Sequence, residues 1–165
     1  MKKSRKEFRE KATRFTVKFF IIFAVLYALL FIIDFSAIEN WLAGFEAKAL
    51  GLQAFGNEVQ INAEFFAITE SCIGLFSGIV LAAIIFACRK PGIKIKALMA
   101  LSGAIALFLI NIARVYAVLA VGKAYGLQAA QLTHVASWLA TTIFIIAVWY
   151  YLTKRIVKKE FKELI

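Results

Sequence analysis

Proline and histidine each occur once in the 165 residues, as Pro91 and His134, and cysteine twice, as Cys72 and Cys88. With one proline and no serine-rich stretch there is no place for a disordered linker, so residues 1–165 read as one domain. The two cysteines fall near opposite ends of one expected helix. Sixteen residues apart, at about 1.5 Å each, they stand roughly 24 Å from one another, beyond disulfide reach. One histidine and one cysteine on the same side are too few donors for a metal centre, so neither a metal nor another cofactor is expected.

Charge is missing over long runs. None occurs in Phe19–Ile33, Cys72–Ala87 or Val135–Leu152, and Leu98–Val121 holds only Arg114. Such runs, with 62% hydrophobic residues and a mean hydropathy of +0.81, exclude an ordinary soluble domain. The net charge of +10 is not a nucleic-acid footprint, because the cations sit in blocks flanking apolar runs. That placement suits anionic headgroups and fixes topology. No nucleic acid is expected as a partner; the lipid bilayer is.

The fold class expected is an all-α membrane protein with four spans, about residues 15–33, 72–87, 97–121 and 134–152. The first span follows a basic stretch, Lys2 to Arg14, read as a helix in the headgroups. No small-x-small cleavage site follows Ile33, so this span is expected to be retained. Residues 34–71 hold six acidic residues and one cation, Lys48. Within them Ile38–Leu50 reads as an interfacial helix anchored by Trp41 and Phe45 and stopped by Gly51. Val59, Ile61, Ala63 and Phe65 alternate with Gln60, Asn62 and Glu64, the period of a half-buried strand, and Gly56-Asn57 offers a hairpin turn. Gly74 and Gly78 form a small-x-x-x-small pair suited to close helix approach.

Cations are dense before the first span, in the 89–96 loop and in the tail (Lys154, Arg155, Lys158, Lys159, Lys162). The positive-inside rule then puts both termini in the cytoplasm of a multi-pass plasma-membrane protein. Cys72, the upper part of the third span and His134 share the extracytoplasmic face.

Those three residues carry the chemistry of interest. A thiol opening a helix meets unpaired amides and the positive dipole end, which favours the thiolate. Arg114 lies about seven residues, or roughly 10 Å, below the outer end of its span. An arginine at mid-helix costs about 2.5–3.5 kcal/mol on insertion scales, so it should face protein or a wet cavity. Asn111 shares its helix face. His134 follows Thr133, an expected N-cap, and a helix start keeps its ring neutral and able to take a proton. Each residue alone has an ordinary explanation. Cys72 suits apolar packing, Arg114 a pair with an acid such as Glu70, and His134 a bond to a carbonyl. Together they supply a nucleophile, a base and an oxyanion donor.

Glu70-Ser71-Cys72-Ile73-Gly74 resembles the cysteine motif of the exosortase/archaeosortase family. Asn111-Ile112-Ala113-Arg114 is similar to its asparagine–arginine motif, and His134 to its late histidine. The agreement in order and spacing covers about residues 58–145. The chain departs in having fewer N-terminal spans than the longer members and in Ile73, where a small residue is common. The resemblance implies a membrane-embedded cysteine protease or transpeptidase with Cys72, Arg114 and His134 catalytic and Glu70 and Asn111 supporting. Its implied partners are membrane-anchored proteins with a C-terminal sorting signal, cleaved outside the membrane and passed to an acceptor. The alternatives are a non-catalytic membrane subunit, such as a transporter or assembly component, and a lipid acyltransferase using Cys72.

Overall fold

The computed structural model describes residues 2–157. Lys158, Lys159 and Lys162 of the basic tail lie outside the described residues. The elements are α1 (Lys2–Leu30), α2 (Ser36–Leu50), β1 (Gln53–Phe55), β2 (Glu58–Ile61), β3 (Glu64–Ala67), α3 (Leu75–Ala87), α4 (Ile93–Tyr125) and α5 (Leu127–Leu152), then a π-helical turn at Thr153–Val157.

Three helical stretches are long and apolar enough to cross a membrane: Lys6–Leu30, Ile93–Tyr125 and Leu127–Arg155. Their outward faces carry large apolar side chains, among them Phe20, Ile21, Leu101, Leu109, Leu139 and Ile143, all exposed. In water such surfaces would be costly; against lipid they are the natural facing. The basic segment and first span, read separately above, are one continuous α1. It stops at Leu30, short of the expected Ile33, where the carboxylate of Asp34 accepts the Ser36 amide at 2.9 Å and turns the chain.

The expected second span is the largest correction. Gly74 adopts a left-handed conformation, φ 81°, so the helix starts only at Leu75 and runs 13 residues. At 1.5 Å per residue that is about 20 Å, short of a hydrocarbon core of about 30 Å. Cys72 lies in the turn before α3, outside the helix proper. A second correction concerns the loop 122–133. α4 continues to Tyr125 and α5 starts at Leu127, with Gly126, φ 90°, as the sole joint. Thr133 is therefore no cap, and His134 sits two turns inside α5.

Residues 38–50 behave as expected. α2 ends at Gly51 in the left-handed region, with the Leu52 amide donating to Ala47 O at 2.8 Å. Trp41 and Phe45 stack with centroids 5.4 Å apart on its exposed face, while Leu42, Ala43 and Ala47 are buried. The alternating run 59–65 is not one strand. Asn62, φ 56°, and Ala63 turn it, giving a three-stranded antiparallel sheet in order β1-β2-β3. Crossing the turn shifts the inward parity, so Phe66 is buried and Phe65 exposed, with Val59 paired to Phe66.

Gly78 meets no neighbour, so the Gly74–Gly78 pair is not a helix-packing seam. Close approach occurs on α4 instead. A Cβ on Gly122 would stand 2.6 Å from Ile61 Cδ1 and 2.9 Å from Ala130 Cβ. The interior has two apolar clusters. The upper joins α2 and the sheet to α4 through Leu42, Val59, Ile61, Ile68, Cys72 and Leu119. The lower, Leu81, Ile85, Met99, Leu107, Ile145 and Leu152, is formed by α3, α4 and α5. The site lies where the upper cluster meets the start of α3.

Candidate active site

Thr69–Gly74 forms a turn in which the amides of Cys72 and Ile73 both donate to Thr69 O, at 2.7 and 3.3 Å. Gly74 then reverses the chain into α3. A Cβ there would lie 3.0 Å from Asn111 Cγ, so the glycine both supplies the positive φ and admits the asparagine. Asn111, buried at 4% exposure, donates from Nδ2 to the carbonyl of Cys72.

Arg114 is one helical turn further along α4. Its Nε donates to Asn111 Oδ1 at 3.0 Å, one terminal nitrogen to Ser71 O at 3.2 Å and the other to Ser137 Oγ at 3.2 Å. Ser137 Oγ donates in turn to His134 O at 2.6 Å. A continuous chain of hydrogen bonds thus runs from the Cys72 carbonyl through Asn111, Arg114 and Ser137 to the His134 carbonyl. All three guanidinium bonds go to neutral oxygens, so among the described residues the cation has no ion-pair partner. It lies within electrostatic reach of the Cys72 sulfur and the His134 ring.

Cys72 is 2% exposed and belongs to the upper apolar cluster, with Phe66, Ile68, Ile73, Val115 and Val118 among its members. Its sulfur has two polar neighbours on its own turn, Thr69 Oγ1 at 3.9 Å and Ser71 Oγ at 4.0 Å; these hydroxyls are 2.9 Å apart. Among the described residues no hydrogen bond joins that sulfur to His134. The His134 ring is half-buried between Phe66 and Trp138, with centroids 5.9 and 6.3 Å away, and its Nε2 accepts from the Trp138 indole at 3.3 Å.

Glu70 is exposed and stands apart from Arg114. It acts instead on Glu39, whose carboxyl is raised first by burial, then by Glu70 and Asp34. Among the described residues Glu70 forms no ion pair with Arg114, so it is not the counterion that a structural arginine would require.

Two cavities meet at Ser71, Phe76 and Trp138, and Arg114 lines the inner one. The inner, of about 50 Å³, is lined by Ser71, Ser77, Asn111, Arg114, Trp138, Thr141 and Thr142 with apolar Phe76 and Ile145. It has room for a water or one small polar group. The outer, of about 270 Å³, lies between Tyr27, Leu30 and Phe31 of the α1 end and Glu70, Ser71, Phe76 and Trp138.

The sequence therefore named Cys72, Asn111, Arg114 and His134, and the fold brings the first three into contact and ties the fourth to them through Ser137. It missed Ser137, Trp138 and Thr141, which stand 3, 4 and 7 residues after His134 and so on its helix face. That spacing was the available signal. Comparison of the chain with protein-family models, curated proteins and solved structures gives no match.

Proposed function

We propose that the protein is a membrane-embedded cysteine peptidase or transpeptidase, as its resemblance to the exosortase/archaeosortase family implies. The observation that carries this reading is the hydrogen-bonded chain from Cys72 through Asn111, Arg114 and Ser137 to His134. Residues separated by up to 65 positions are held in one polar seam at the edge of an apolar core. Such a seam is expensive in a membrane protein and needs a use.

In this mechanism His134 takes the Cys72 proton and the thiolate attacks the scissile carbonyl of the substrate. Arg114 stabilises the thiolate and the oxyanion. The C–N bond breaks, His134 returns its proton to the leaving amine, and an acyl-enzyme remains on Cys72. An amine acceptor or water then attacks the thioester, and the thiol is restored. Because Cys72 is buried, substrate entry has to displace part of the cover formed by Phe66 and Ile68 or open the outer cavity toward the sulfur. Burial also supports a second reading, a non-catalytic membrane subunit in which Asn111 and Arg114 simply secure the turn.

The charge blocks put both termini in the cytoplasm and this site on the extracytoplasmic face of the plasma membrane. An impermeant thiol reagent applied to intact cells should then reach a cysteine substituted at Gly126 and miss one at Gly92. Trapping separates the two functional readings. Incubation with a membrane-anchored sorting-signal substrate, acid quench and mass spectrometry should find a peptide acyl group on Cys72. An unmodified Cys72 under conditions where substrate is cleaved would end covalent catalysis by Cys72, and a fatty acyl group would indicate lipid transfer.

A further inference from the structure

We propose that Trp138 is a positioning residue that fixes the tautomer of His134 and keeps its proton-accepting nitrogen occupied in the resting protein. This rests on the catalytic part given above to His134, although its test does not.

An indole N–H can only donate. Trp138 Nε1 stands 3.3 Å from His134 Nε2, so Nε2 is the lone-pair nitrogen and the proton of the neutral ring is on Nδ1. The two residues are four apart on α5, which makes this a local bond set by helix geometry. Phe76 of α3 holds the indole from its other side, with centroids 6.2 Å apart, and Phe66 of β3 holds the imidazole. Ring orientation is thus determined from both flanks.

The consequence concerns the proton path. A neutral histidine has one nitrogen able to take the Cys72 proton, and here it already accepts a hydrogen bond. Proton transfer must therefore begin with the loss of the Trp138 bond. The same indole is a wall of both cavities, so whatever fills the outer cavity bears on the ring that blocks the base. The base is uncovered where substrate would enter, and not before.

His134 is the one histidine of the chain, so its ring can be observed without assignment. The full-length protein, labelled with ¹⁵N in histidine and tryptophan and held in detergent micelles without substrate, should show a lone-pair-type Nε2. A scalar coupling across the hydrogen bond should link it to one indole nitrogen. Trp138→Phe keeps an aromatic ring but no donor. It should abolish the coupling, shift the tautomer population toward Nε2–H, and speed acylation of His134 by diethyl pyrocarbonate severalfold. Tyr27→Leu loosens the outer cavity on its α1 side while Phe76, Trp138 and His134 keep their contacts with one another, and it should leave the tautomer as in wild type.

A protonated Nε2 in the wild-type spectrum overturns the proposal by itself, whether or not any variant folds. Identical tautomer populations in wild type and Trp138→Phe overturn it too. None of these readouts involves peptide cleavage, so a failed peptidase reading and a failed Trp138 assignment are distinguishable.

Discussion

Each end of α3 has a cysteine beside it and a cation from α4 bonded to the adjoining backbone, and the two ends differ in everything else. At the upper end Arg114 holds Ser71 O and Asn111 holds Cys72 O. At the lower end buried Lys96 donates to Cys88 O and, at 3.4 Å, to Phe86 O. Lys96 thereby satisfies the last carbonyls of α3, an ordinary helix C-terminal cap in a place that water does not reach. Arg114 meets a turn that precedes a helix, and its planar group spreads three bonds over three segments of the chain. It bonds the Ser137 hydroxyl, which in turn bonds the His134 carbonyl, and it lines the inner cavity. A cysteine next to a cation is thus no site by itself; what separates the ends is the convergence of further polar groups on a space that a ligand can enter.

The contrast breaks most completely at Cys72. Cys72→Ala and Cys72→Ser should reduce acyl transfer to background while the protein inserts and unfolds at nearly its usual temperature, because both replacements are small and the serine hydroxyl has Thr69 Oγ1 and Ser71 Oγ beside it. The measurement is cleavage of a sorting-signal substrate per folded molecule. Wild-type cleavage in either variant would place Cys72 on the same footing as Cys88.

The two cations should respond next. Arg114→Lys keeps the charge but cannot reach Asn111, Ser71 and Ser137 at once. Loss of one oxyanion donor typically costs about 10²–10³ in rate, and we expect at least about a hundredfold here. Lys96→Met removes a cap and its charge. It should lower the melting temperature and leave the cleavage rate of the folded fraction within about twofold, since a cap acts on stability alone. Thermal unfolding and turnover measured on the same samples test both. A lysine at 114 that destabilises yet cleaves at full rate would make the upper end a cap like the lower.

How much of this was legible beforehand follows from what each residue depends on. The apolar runs, Gly51, and the Asn111–Arg114 pairing at three residues' spacing are local, and local patterns were sufficient. The limits of α3 and α5 were not, because each depends on one glycine in a left-handed conformation. Gly74 read as a packing residue and Gly126 as part of a loop, though both are where the backbone changes direction. The sheet was half legible: alternation identified strand from 59 onward, but it continued unbroken through the Asn62-Ala63 turn. The alternative that Arg114 pairs with an acid such as Glu70 could not be weighed from sequence, because which groups meet across 44 residues is set by the fold; Glu70 acts on Glu39 instead. Cys72 is buried in an apolar cluster assembled from α2, the sheet, α4 and α5, segments distant in sequence that no spacing rule brings together.

Within the upper part of the fold, α2 holds a charge problem of its own. Glu46 of α2 is fully buried, and both carboxylate oxygens lack a hydrogen-bond partner. Burial pushes its carboxyl up to about 7 from the ordinary 4.5. Below the ordinary value the folded and unfolded chains both hold the proton, and the group costs nothing electrostatic. Between about 4.5 and about 7 only the folded chain holds it, so stability falls as pH rises, and the loss is complete above about 7. Glu46→Gln should abolish this fall and exceed wild type at pH 8 by at least about 1 kcal/mol, the scale of an unpaired buried polar group. Unfolding in detergent from pH 4 to pH 9 reads it. Parallel curves for the two proteins would mean that the carboxyl finds a partner.

The smallest effect belongs to Cys88, and it sharpens the comparison from the silent side. Its thiol is buried at 4% exposure beneath the Lys96 cap, and the lysine binds its carbonyl and not its sulfur. Replacing that sulfur by hydrogen in Cys88→Ala leaves the capped carbonyl in place and removes one atom from a packed position. The expected cost is about 1 kcal/mol or less. Cleavage should be unchanged, and a thiol reagent should label the variant only at Cys72 once the protein is unfolded. Cys88→Ala is therefore the background in which Cys72 can be trapped without ambiguity. If this variant lost cleavage while keeping its melting temperature, the lower end of α3 would be acting on the chemistry as well. The distinction between a cation that caps and a cation that takes part in a site would then have to be drawn elsewhere than between Lys96 and Arg114.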